Sequence, residues 1–241
     1  SSVSNFVNII FNSVISSFGN LIATESKEKQ YSMFCIYRFF ASWIYGFSAV
    51  GFYILLTPLI RLWLGDKWML PGAVTAAILI DYYFKGERVV LSNFKTAAGV
   101  FEQDKYLPLV QGAVNLVISI VLVRRIGLVG VYIGTIISGL LANFIRPVII
   151  YRVCFERKTA GYFIDAVKYI AVILLAGAFC IVCRNIFPEN LTILSFIVMA
   201  VIISVIFNSV FLLFFSRTNE FKYLYGMFRE KISSMAGKWR K

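Results

Sequence analysis

An all-α, multi-pass membrane helix bundle is the fold class predicted by three features of this 241-residue sequence. Hydrophobic residues make up 59% of it and charged residues only 15%. Long apolar runs recur along its whole length, and basic residues gather in alternate gaps between them. A soluble domain is about a quarter charged, so this chain lacks the polar surface to face water on every side. Its mean hydropathy of +0.79 agrees.

A bilayer-spanning helix needs about 20 mostly apolar residues. Seven runs qualify, at roughly 3–23, 40–64, 72–94, 107–123, 127–151, 164–183 and 190–215. The first presents Asn5, Asn8, Asn12, Ser16 and Asn20 on one face. Stacked amides of this kind bond across helices, or line an aqueous path and meet sugar hydroxyls. The second run contains Pro58, expected to kink it. It ends where Trp63 and Trp68 bracket a turn, as aromatic anchors do at a membrane interface.

The third run carries the most information about function. Asp81, Lys85, Arg88, Ser92 and Lys95 are spaced 4, 3, 4 and 3 residues apart and share one helical stripe, with Glu87 off it. An ionisable group at membrane depth costs about 2.5–3.5 kcal/mol, so such a stripe faces protein or water. Three readings follow. The stripe lines a cavity whose positive balance favours an anionic solute. It is an internal seam in which Asp81 pairs with Lys85. Or Lys85 and Arg88 snorkel to the helix end.

The fourth run has a weaker polar face of Gln111, Asn115 and Ser119. The fifth offers the G-x-x-x-G of Gly130 and Gly134, then Thr135, Ser138 or Gly139, Ala142 and Arg146. Small residues of this kind are common wherever membrane helices touch. Cys180 and Cys183 form a C-x-x-C inside the apolar sixth run, with no charge nearby to activate a thiol. The sequon Asn190-Leu191-Thr192 touches the membrane end of the seventh run and is set aside. Beyond it, 217–241 reads as a separate basic, amphipathic cytoplasmic tail. Phe221, Leu224, Tyr225, Phe228, Ile232, Met235 and Trp239 make its apolar face, suited to an anionic leaflet.

The net charge of +12 follows from topology rather than from a nucleic-acid partner. Lys27, Lys29 and Arg38 fall in one set of linkers, with Lys95 and Lys105, then Arg152, Arg157, Lys158 and Lys168, then the tail. The alternate linkers hold only Arg61 and Lys67, the dissenting pair Arg124 and Arg125, and Arg184. By the positive-inside rule the rich face, and the C-terminus with it, is cytoplasmic. The chain opens Ser1-Ser2-Val3 without a signal-peptide pattern, and is expected to be a segment of a longer protein.

There is no histidine, which removes the commonest general base and metal ligand. No P-loop, Rossmann glycine pattern or metal-spaced carboxylate cluster appears, so no cofactor or metal is expected.

Several stretches resemble the C-terminal half of polysaccharide flippases of the multidrug/oligosaccharidyl-lipid/polysaccharide exporter superfamily. They are Leu62-Trp63-Leu64-Gly65; Lys95-Thr96-Ala97-Ala98-Gly99-Val100-Phe101 with Asp104-Lys105-Tyr106 and Pro108; Asn115 and Ser119; and Gly127-Leu128-Val129-Gly130-Val131 with Gly134-Thr135 and Ser138. The likeness covers about residues 1–160, and the last two runs match only in hydropathy. It implies two helical lobes around a central cavity, in the bacterial cytoplasmic membrane. It implies flipping of undecaprenyl-pyrophosphate-linked oligosaccharide by alternating access. The partners would be that lipid-linked oligosaccharide, membrane lipids and the N-terminal half of the same transporter. Lys85, Arg88 and Arg146 match the cationic cavity residues of such flippases, and Asn115 a recurrent family position. Asp81, Lys95, Asn8 and Asn12 complete the candidate substrate-binding set. The family has a dozen helices or more, so seven correspond to its second lobe alone.

The rival readings are a drug/cation antiporter of the same superfamily, a membrane-embedded glycan polymerase or ligase, and a purely structural or assembly subunit, in which the charges of the third run could be neutralised freely. The antiporter would be expected to use acidic membrane residues, and only Asp81 and Glu87 are available, each with basic neighbours. The enzyme would need a large outer loop, and the outer linkers here are a few residues long. No enzymatic activity is therefore expected.

Overall fold

The computed structural model describes residues 15–188 and 192–238. Among them every regular element is helical. The α-helices are α1 (Ile15–Thr24), α2 (Lys27–Leu64), α3 (Gly72–Ala97), α4 (Leu107–Ile126), α5 (Leu128–Val153), α6 (Ala160–Arg184), α7 (Ile193–Phe215) and α8 (Asn219–Lys238). Short 3-10 turns, Asp66–Trp68 and Glu102–Asp104, precede α3 and α4.

Five segments are long and apolar enough to cross a membrane: α2, Glu102–Ile126 with α4, α5, α6 and α7. This is a helical membrane bundle. Helix α3 has the length, 26 residues or about 39 Å at 1.5 Å per residue, but its charges exclude it on composition. Most of the first predicted run, with Asn5, Asn8 and Asn12, lies outside the described residues. So do Asn190 and Leu191 of the sequon, Trp239, and the side chains of Ser16, Ile232 and Met235.

The helix starts and stops have local causes. The Ser26 hydroxyl accepts the Lys29 N–H at 3.4 Å and caps α2. Thr192 caps α7 in the same way through Ser195 N–H at 3.2 Å. Gly127 alone separates α4 from α5 and has φ +63°, a conformation that a side chain disfavours. It folds the two helices into an antiparallel hairpin. Trp63 and Trp68, the expected interface anchors, are 79% and 63% exposed.

Helix α2 is the hub. It packs on α3, α6 and α7, and α8 returns to touch it. Helix α5 lies between α3 and α4, and α1 rests on α3. Aromatic rings fill the seams. Phe34, Phe94 and Phe155 meet with centroids 5.0–5.4 Å apart, joining α2 to α3 and the end of α5. Trp43 stacks on Phe211 at 5.2 Å and donates to Asn208 Oδ1 at 3.0 Å, joining α2 to α7. Buried indole N–H groups need such a partner. Outside, α4 exposes Leu109, Leu116 and Val117 by 62–73%, a surface fit for hydrocarbon rather than water.

Two expectations about the flanks change. The predicted second run began at residue 40, but α2 begins at Lys27. Arg38 is therefore not a linker charge: it sits inside α2, 3% exposed, opposite Glu87. In the tail, part of the apolar face packs inward. Leu224 is buried and the Phe221 ring lies 6.0 Å from Trp43, while Tyr225 and Phe228 stay exposed.

Candidate functional site

The charged stripe of α3 meets α5. Asp81, 4% exposed, anchors it. Its Oδ2 takes Lys85 Nζ at 2.6 Å, and its Oδ1 has only Arg88 Nη2, 3.5 Å away and making no hydrogen bond. Arg88 reaches across to α5, where its Nη1 is 3.5 Å from Asn143 Oδ1. Asn143 in turn donates to the Phe84 carbonyl at 3.4 Å. The guanidinium fits because α5 has Gly139 beneath it: a Cβ there would stand 2.4 Å from Arg88 Nη1.

Two turns further along α3 a second carboxylate gathers two more cations. Asp104, from the 3-10 turn before α4, accepts Lys95 Nζ at 2.6 Å and Arg146 Nε at 3.1 Å. Arg146 Nη1 also donates to Ser92 Oγ at 2.8 Å. The Asp104 side chain is 2% exposed, and Lys95 and Arg146 only 13% and 15%. Solvated surface pairs contribute little, but these are shielded from water.

The seam along α3 and α5 thus holds four cations (Lys85, Arg88, Lys95, Arg146) against two carboxylates (Asp81, Asp104), a surplus of two positive charges. Both pairing and surplus matter. Pairing offsets the cost of partly burying the cations, and the surplus leaves a field that favours an anion. Lys85 is the accessible member, with its side chain 58% exposed.

Lys85 sits near the middle of α3. It lies thirteen residues after Gly72 and twelve before Ala97, about 18–20 Å from either end of α3 at 1.5 Å per residue.

Glu87 serves a different face. It pairs with Arg38 of α2 at 3.3 Å and accepts from Ser42. Arg38 also donates to the Tyr162 carbonyl at 2.9 Å and stacks 3.5 Å above the Tyr162 ring. This network ties α2, α3 and α6 together and has no accessible member.

The structure does not bring Asn115 to the charged seam. Asn115 is 3.5 Å from Thr135 Oγ1 and accepts from Ser119 at 2.8 Å. Gln111 donates to the Ser138 carbonyl at 3.1 Å. Gly134 lets Ser119 approach: a Cβ there would be 2.3 Å from its Oγ. The polar face of α4 is accordingly the α4–α5 packing seam. Asn8 and Asn12 lie outside the described residues. Asn20, from the same amide face, is exposed.

The spacing argument missed Asn143 as a partner of Arg88 and the anchoring role of Asp104. Asn143 had a faint signal, four residues after Gly139 on α5. Asp104 had none, because it lies in a turn with no helical register to α3.

No protein-family model matches the chain, and no curated protein or solved structure matches it. The residues must therefore carry the functional argument. Among the described residues no cluster of three metal-ligating side chains occurs, and all four cysteines are free thiols.

Proposed function

We propose that this chain forms the second lobe of a transporter that flips lipid-linked, diphosphate-bearing oligosaccharide across a bacterial cytoplasmic membrane. On this reading the first predicted run and α3 join the five long apolar segments to give seven crossings. The basic linkers and the C-terminus face the cytoplasm. A partner lobe, from the N-terminal half of the same transporter, completes the cavity. The observation that carries the reading is the surplus of two positive charges along α3 and α5, with Lys85 accessible at mid-helix. A diphosphate is the anion such a cluster would hold. Asp81 and Asp104 keep the cations ordered between substrates, and rocking of the lobes would present the site to each leaflet.

A second reading is favoured by the pairing itself. Each cation has a carboxylate within 3.5 Å, so the seam also suits a purely structural ion-pair ladder.

Lys85→Gln with Arg88→Gln separates the two. The variant is placed in the transporter that contains this chain, in a flippase-deficient strain, and surface polysaccharide is scored against membrane protein level. Lost polysaccharide at normal protein level supports transport of the anionic substrate. Normal polysaccharide at normal level refutes it and leaves the seam as scaffold.

A further inference from the structure

Away from the charged seam, α2, α3 and α6 enclose a slot of about 410 Å³ that is half open on one side. Its lining is almost entirely carbon. The floor is formed by buried Ile54, Tyr83 and Ile173, and the open edge by Tyr53, Ile80 and Leu174, which are 42%, 47% and 67% exposed. From Ala76 to Phe84 it follows α3 for about 12 Å at 1.5 Å per residue.

Physical chemistry limits what can fill it. Water needs two to four polar partners to stay in a cavity, and this wall offers almost none. A void of this size left empty forfeits the dispersion contacts of every lining atom. A charged or sugar-bearing solute would lose its hydrogen bonds on entry. A hydrocarbon chain satisfies all three conditions. Two of the exposed edge residues, Tyr53 and Leu174, stand on α2 and α6, helices long and apolar enough to cross a membrane. With α2 and α6 crossing a bilayer, a mouth edged by these residues would open on hydrocarbon.

We propose that this slot is a binding site for one acyl chain of a membrane phospholipid, seated between α2, α3 and α6. The site stands independently of the transport reading, because none of the seam's charged residues lines it.

The test uses the full chain purified in mild detergent, with bound phospholipid measured by native mass spectrometry. Retention of spin-labelled phosphatidylcholine after reconstitution gives a second readout. Gly177→Leu and Ala76→Phe add bulk from two different walls. A Cβ at Gly177 would meet Val50 at an ordinary 3.5 Å, so the first atom is tolerated. The native protein is expected to retain phospholipid, and each slot variant to bind it about tenfold more weakly, equivalent to about 1.4 kcal/mol. Ala113→Phe, on the exposed face of α4, should retain it as the native protein does.

Three results overturn the proposal. The native protein carries no phospholipid, or both slot variants carry as much as the native protein. Alternatively, a polyisoprenyl phosphate displaces the phospholipid from the native protein but not from the variants, making the occupant an isoprenoid. If one variant loses its helical circular dichroism, the other and the native measurement still decide.

Discussion

Glu87→Leu strands the Arg38 guanidinium in a part of the bundle where it is 3% exposed. Removing one member of a buried ion pair costs about 3–5 kcal/mol, because the remaining charge stays desolvated. Arg38 keeps its bond to the Tyr162 carbonyl at 2.9 Å and its place 3.5 Å over the Tyr162 ring. The cost of Glu87→Leu should therefore fall at the lower end, about 3 kcal/mol. Arg38→Met leaves the buried Glu87 carboxylate with only neutral hydroxyl partners, Ser42 and Tyr162, among the described residues, and about 4–5 kcal/mol is expected. The double variant removes both charges, keeps an apolar filling and should cost no more than about 2 kcal/mol. The coupling is then several kcal/mol, far above the few tenths typical of independent sites. The assay is reversible unfolding in mixed micelles of increasing denaturing detergent, with all four proteins compared. A loss of about 3 kcal/mol appears as more than a hundredfold change in the unfolding constant. Additive single costs would refute the buried pair as the tie between α2 and α3.

Other perturbations test other contacts. Asp104→Ala leaves Lys95 and Arg146 side by side with side chains only 13% and 15% exposed. A thermal melt in detergent should show a loss of about 3 kcal/mol, with Lys95→Met restoring part of it. Gly86→Ala would place a Cβ 2.2 Å from a ring carbon of Tyr45, a rigid neighbour. Overpacking of this kind costs about 1–3 kcal/mol in the same melt, and an unchanged midpoint would count against the close approach of α2 and α3. At the end of α5, the hydrogen bond from Lys27 holds the Glu156 carboxyl below its ordinary pKa. A carboxyl depressed in the folded state stabilises the fold above its unfolded pKa, and that contribution disappears as pH falls through the folded pKa. The native protein should therefore lose its small melting advantage over Glu156→Gln in acid, and also at high salt, because the pair is exposed.

Much of the architecture was legible beforehand. Hydropathy placed the ends of the third to seventh runs within a few residues of α3 to α7. Spanning length and apolar content are local properties, so a single sequence carries them. The stripe of Asp81, Lys85, Arg88, Ser92 and Lys95 was likewise a matter of helical periodicity, and its pairing of Asp81 with Lys85 is present at 2.6 Å.

Tertiary structure decided which charges meet across helices. Arg38 looked like a linker residue because its charge lowers local hydropathy, yet Glu87, 49 positions away, holds it inside α2. Gln111, Asn115 and Ser119 had the spacing of a polar helix face, and packing makes that face the seam between α4 and α5. Asp104 had no periodic relation to anything, and only the turn before α4 brings it to Lys95 and Arg146. Periodicity fixes which side of a helix a residue occupies. What stands opposite depends on how helices distant in sequence pack, and no local pattern encodes that.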